Sequence, residues 1–180
     1  MQASFDWRHP VWLALLTALS VGLSLEFACA VPLAAFAALG ALTMSRRDAL
    51  MLVLAIVAAN QCVGFAFLHY PASSWPWAAA FGFAGVLAVF AAGWARRVGY
   101  HPAAVSTCAF LAAFAAYEGG LCLITLASRS GDLAPYAATA VLRIFIINAA
   151  TFAGLLLATR IAAGIGFVRP ALAPRAGRLA

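Results

Sequence analysis

Polar side chains are nearly missing from six long runs of this sequence, and that property restricts the possible folds more than any motif in it. The runs extend roughly over Val11 to Phe27, Ala28 to Met44, Asp48 to Leu68, Trp75 to Ala95, Pro102 to Ala127 and Pro135 to Phe167. A helix needs about 20 apolar residues to cross roughly 30 Å of hydrocarbon, so the first two runs are short and the last is long. Composition agrees: 66% of residues are apolar and 9% are charged, against roughly 45 to 50% and about 25% in water-soluble domains. The partner these surfaces require is a lipid bilayer. The expected fold is all-α, a polytopic membrane protein of about six transmembrane helices. Residues 1–168 form one transmembrane domain and residues 169–180 a short basic cytoplasmic tail. No room is left for a soluble catalytic domain.

Short connectors part the runs: SRRD, HYPASSWP, RRVGYHP and SRSGDLAP all carry turn chemistry. Pro102 and Pro135 suit first-turn helix positions, and Asp132 is placed to cap the sixth helix.

Arginine is the only strong base, because the chain has no lysine. With six spans and a cytoplasmic N-terminus, Arg8, Arg46, Arg47, Arg96, Arg97, Arg160, Arg169, Arg175 and Arg178 fall in or beside cytoplasmic segments, and Arg129 lies outside. The positive-inside rule then predicts a multi-pass protein of the cytoplasmic (inner) membrane with both termini cytoplasmic. The net charge of +6 follows from this topology and does not call for a nucleic-acid partner.

The stretch LEFACAVP, Leu25 to Pro32, ends the first run and admits two readings. A basic start, an apolar run and small residues at Ala28 and Ala30 are what a secretory cleavage site looks like. Glu26 puts a charge close to that cut, however, and the sequence from Val31 continues as an apolar helix. The stretch is read as the outer turn of a helical hairpin.

Ionisable and amide groups inside hydrocarbon are costly, and they face a protein interior or a wet cavity. Here they are Glu26, Asn60, Gln61, Glu118, Arg143 and Asn148. At 1.5 Å per residue Asn60 lies roughly 18 Å and Glu118 roughly 24 Å above the cytoplasmic ends of their helices, and Arg143 roughly 12 Å below its outer end. These groups share the outer half of the bundle, whereas the inner half is almost wholly Ala, Leu, Val and Phe. Two accounts of that layer stand. One is structural: Arg143 pairs with Glu118, and the amides bond neighbouring helices. The other is a solute cavity open to the outside, roofed by the aromatic connector with His69, Tyr70, Trp75 and Trp77.

Of the four cysteines, Cys108 lies near the cytoplasmic end of its helix and reads as packing, while Cys29, Cys62 and Cys122 lie in the outer half. Their spacing matches no zinc motif. Cys62 and His69 are seven residues apart, and Glu118 and Cys122 are four apart, so each pair shares a helical face that a soft metal ion could use.

Six short helices, a compact first hairpin and an outward cavity resemble the substrate-binding S components of energy-coupling-factor vitamin transporters. The first helix carries Ala14-Leu-Leu-Thr-Ala18, similar to the AxxxA pattern by which that class docks on a membrane coupling subunit driven by ATPases. Within the class, FACAVPLAAFAAL and ANQCVGF are similar to the BtuM family of solitary cobalamin transporters. The resemblance implies that Cys62 of ANQCVGF is the thiolate that binds the cobalt of cobalamin, the transported ligand rather than an intrinsic cofactor. Thiolate suits cobalt, and the amides and aromatics of Asn60, Gln61, Tyr70 and Trp75 suit a corrin. Asn60 and Cys62 lie about 200° apart on a helix, so both cannot point straight at one ligand.

No signature of hydrolase, zinc-protease or nucleotide chemistry is visible. Three classes of function therefore stand side by side: uptake of a small molecule such as cobalamin, a carrier or channel for a metal ion, and a non-transporting assembly role in the membrane.

Overall fold

The computed structural model describes residues 7–26, 31–98, 101–128 and 134–168. All regular structure among them is helical: α1 (Arg8–Glu26), α2 (Leu33–Thr43), α3 (Arg46–Ala66), α4 (Trp75–Val98), α5 (Pro102–Ala127) and α6 (Ala138–Gly164), with 3₁₀ turns at Ala72–Ser74 and Ala134–Tyr136. Five of the six are long and apolar enough to cross a membrane. The chain is a polytopic helical membrane bundle.

The exception is α2. The run from Ala28 to Met44, expected as a sixth span, yields a helix of 11 residues, about 16 Å long and half a bilayer deep. Its position explains its composition. Every residue from Leu33 to Leu42 is buried, with Ala34, Phe36, Ala38 and Leu39 at 0% exposure, and α3, α4, α5 and α6 all pack against it. A helix enclosed on all sides needs an apolar surface all round, and small residues let neighbours approach. A Cβ on Gly40 would lie 3.0 Å from the Ala49 Cβ of α3, and one on Gly85 of α4 would lie 2.5 Å from Val53 and 2.9 Å from Leu33.

Ala80, Ala84, Ala88 and Ala92 form a buried stripe at four-residue spacing on α4, and α4 and α5 make the most extensive helix pair. Small residues one turn apart permit the close van der Waals packing on which membrane helices depend. Between α5 and α6 aromatic rings fill the wider gap. Phe110 stacks on Phe152 at 5.0 Å between centroids, and Phe114 meets Phe145 edge-on at 5.1 Å. The helix α1 packs chiefly on α3.

Contacts near the two chain ends fix which helix ends lie together. Arg8 Nη1 donates to the Gly166 carbonyl at 2.8 Å, His9 Nε2 lies 3.4 Å from Asp48 Oδ1, and Arg96 Nη1 donates to the Ala41 carbonyl at 2.8 Å. Arg8, Arg46, Arg47, Arg96 and Arg97 therefore share one end of the bundle, called here the arginine end. Ser45 caps α3 by accepting from the Asp48 amide at 3.2 Å.

Two details differ from expectation at α6. Its N-cap is Ala137, without a side-chain cap bond, five residues beyond Asp132, which lies outside the described residues. Pro135 belongs to the preceding 3₁₀ turn rather than to the helix. Pro102 does open α5. The FACA portion of the LEFACAVP turn, with Cys29, lies outside the described residues.

Candidate solute cavity

The helix α2 fills only the arginine half of the bundle, among the described residues no central helix occupies the other half, and a cavity of about 150 Å³ lies above its first turn. Each wall can be traced to a helical face. On α3, Val57, Asn60 and Gln61 are at i, i+3 and i+4, and all three line it. Ser24 and Leu25 come from the far end of α1, Phe81 from α4, Tyr117 from α5, Leu33 from the start of α2 and Val31 from the chain just before it.

Inside a membrane the first N–H groups of a helix need protein partners. Asn148, 1% exposed on α6, supplies one: its Oδ1 accepts the Ala35 amide at 3.2 Å, while its Nδ2 donates to the Ile144 carbonyl at 3.0 Å. At the opposite end of α2, Arg96 donates to the Ala41 and Leu42 carbonyls at 2.8 and 3.4 Å, a cation on the negative end of the helix dipole. Both ends of the short helix are thus held by side chains of other helices.

Asn60 is partly engaged. Its Nδ2 donates to the Ile56 carbonyl at 2.9 Å, and the Ser24 hydroxyl bonds its Oδ1, closing the seam between α1 and α3 at the cavity wall. Gln61 and the buried Tyr117 make no side-chain hydrogen bond among the described residues. Two of the lining residues, one with an amide and one with a phenol, therefore have bonding capacity to spare. No carboxylate, arginine or cysteine is among the described lining residues. The chemistry offered is neutral hydrogen bonding on an apolar background.

The roof is the chain just beyond α3. His69 takes a left-handed backbone conformation with φ of 54°, which turns the chain so that the Tyr70 amide donates to the Gly64 carbonyl at 3.1 Å. The Tyr70 ring then lies against Gly64, where a Cβ would come within 2.5 Å of it. Only glycine leaves room for this closure. Leu68 and Tyr70 both line the space beneath.

Of the residues expected in the site, Asn60, Gln61 and Tyr70 come together there. The others do not. Cys62 is exposed and outside the described lining, while Asn60 is within it; the turn of about 200° that separates the two aims the thiol away from the cavity. His69 is exposed at the turn, and Trp75 is 65% exposed. Glu118 is half-buried and Arg143 exposed, and no ion pair joins them among the described residues. The paired account of that layer is therefore not what forms: α5 and α6 meet through their phenylalanines, and Arg143, two residues before Phe145, lies on the far side of α6 from that ring. Cys62, Cys108 and Cys122 are free thiols, and among the described residues no group of three His, Cys, Asp or Glu side chains could hold a metal ion. Ala14 and Ala18 are exposed, as a docking motif requires, and line a shallow groove between α1 and α3 with Ala55 and Ala59.

Ser24, Phe81 and Tyr117 are site residues that sequence reasoning passed over. Tyr117 had a signal, since it lies at four-residue spacing from the apolar Ala113 and Leu121, all three buried. Serine and phenylalanine in an apolar helix carry none. Comparison with protein-family models, with curated proteins and with solved structures gives no match.

Proposed function

We propose that the protein is a membrane transport protein that binds a small organic solute in the cavity above α2 and takes it up from the side opposite the arginine end. The observation that carries this reading is the helix α2 itself, whose N-terminus stops in mid-bundle and leaves a roofed space with uncommitted polar groups from α3 and α5. A purely structural bundle gains nothing from such a space, since an unfilled void forfeits packing. By the positive-inside rule the arginine end is cytoplasmic, so the cavity belongs to the outer half of the inner membrane.

Cobalamin is the solute that the resemblance to S components implies, with an energy-coupling subunit as the driving partner. At about 150 Å³ the cavity is smaller than the roughly 300 to 1,000 Å³ of ordinary ligand sites, and a corrin is larger than most ligands of such sites. Cobalamin uptake therefore requires the Tyr70 roof to lift. Cobalt ligation by Cys62 would require binding on the other side of α3 from Asn60, so a corrin held in this cavity is gripped by amide and aromatic groups instead.

Titration of the purified protein with cobalamin tests the reading. A red complex that survives gel filtration, and that Gln61→Leu weakens, supports it. Absence of any complex removes cobalamin. A neutral-solute library scored by thermal stabilisation then tests the cavity, and no stabilisation by any member would remove the uptake reading.

A further inference from the structure

We propose that a second pocket, at the arginine end between the α2–α3 turn and the last turns of α4, binds the phosphate group of an anionic phospholipid. The space is about 270 Å³ and is lined by Met44, Arg46, Phe90, Gly93, Arg96 and Arg97 together with Ser45. It is unrelated to the solute cavity, with which it shares no residue.

Three arginines line this pocket and no carboxylate is among its described lining residues. The acidic residue closest in sequence, Asp48, is engaged elsewhere, 3.4 Å from His9 Nε2 and accepting from Ser45 Oγ at 2.6 Å. Two of the three cations are held in position. Arg96 is anchored on the Ala41 and Leu42 carbonyls and keeps further N–H donors free. Arg46 lies over the Phe90 ring, 4.8 Å from its centroid, a cation–π contact that removes part of its rotamer freedom. The start of α3 adds the positive end of a helix dipole at the same place.

Topology requires only that arginines lie at this end. It does not require three of them to border one concave space. Planar guanidinium forks match phosphate oxygens, and basic pockets between membrane helices at the interface are where phospholipid headgroups bind. The rest of the pocket fits the remainder of such a molecule: Val89, Phe90 and Gly93 make an apolar wall, and Phe90 is 45% exposed. Inorganic phosphate offers the same anionic oxygens without the acyl chain, and only a lipid uses that wall.

The experiment is native mass spectrometry of the full chain in neutral detergent, titrated separately with phosphatidylglycerol, phosphatidylcholine and inorganic phosphate. The expected result is selective retention of phosphatidylglycerol, weakened about tenfold or more in Arg46→Gln/Arg97→Gln and unchanged in Arg160→Gln, which removes a charge outside the pocket. Arg97→Gln alone, at an exposed position, carries the test if the double variant does not fold. Inorganic phosphate binding with the same variant dependence, and without lipid selectivity, would reassign the site to free phosphate. Equal retention of both lipids, or of phosphatidylglycerol by wild type and Arg97→Gln, would overturn the proposal.

Discussion

Asn148 Oδ1 accepts the backbone N–H of Ala35 at 3.2 Å, so a side chain of the last helix completes the first turn of the second. The Ala35 amide also reaches the Pro32 carbonyl at 3.1 Å, and its bond to Asn148 is therefore shared rather than sole. Interhelical hydrogen bonds in membranes contribute about 0.6 kcal/mol on average and at most about 1.7. Asn148→Leu should lower stability by about 1 kcal/mol, read from reversible unfolding in mixed detergent. A loss above about 3 kcal/mol would mean that the residue does more than cap α2.

Gly64→Ala tests the roof. The added methyl would lie within 2.5 Å of the Tyr70 ring, so the ring must leave. In a protein whose native cysteines are replaced, a cysteine at Gln61 should react with an impermeant thiol reagent several-fold faster once Gly64→Ala is added. Equal labelling rates would show that Tyr70 does not close the cavity.

Cys62 and Gln61 are neighbours with opposite expectations. Cys62→Ser should leave solute binding within about twofold of wild type, because the thiol lies outside the described lining. Gln61→Leu and Tyr117→Phe each remove one hydrogen-bonding group from the cavity and should weaken binding roughly 2- to 12-fold, the equivalent of about 0.5 to 1.5 kcal/mol. Isothermal titration with whichever solute binds gives both numbers.

Glu118 and Arg143 should behave as strangers. With no ion pair between them, the double replacement Glu118→Gln/Arg143→Gln is expected to cost the sum of the single changes within about 0.5 kcal/mol. A double variant more stable than either single would restore the pair.

Orientation is tested by labelling from outside intact cells. Ser73 and Ser45 are both exposed and lie at opposite ends of the bundle. A single cysteine replacing Ser73 should be modified, and one replacing Ser45 should not; the reverse pattern places the arginine end outside.

Much of the helical layout was legible because its causes are local. The limits of α5 follow from Pro102 and from the end of the apolar run at Ala127, and the arginine end follows from charge placement along the chain. The shortness of α2 was not legible. The run from Ala28 to Met44 is apolar throughout, and hydropathy cannot distinguish a helix enclosed by protein from one that faces lipid. For the site, Asn60, Gln61 and Tyr70 stood out because amides and a connector aromatic are conspicuous in such a sequence. Cys62 and Glu118 were equally conspicuous, and their exclusion depends on helix rotation, which only packing against α2 determines. Tyr70 over Gly64 depends on a single backbone turn at His69, for which the sequence has no rule.

The fully enclosed α2 has a consequence for how the molecule fluctuates. Local opening is least frequent where backbone amides are surrounded by packed side chains and more frequent where a void or a turn adjoins them. Amides of Phe36 to Leu42, shut in by four helices and held at both ends, belong to the slowest-exchanging class, whereas those around Asn60 to Tyr70 border empty volume. The bundle thus divides by depth into a rigid half and a yielding half, and occupancy of the cavity would register as slowed deuterium uptake in the second while leaving the first unchanged.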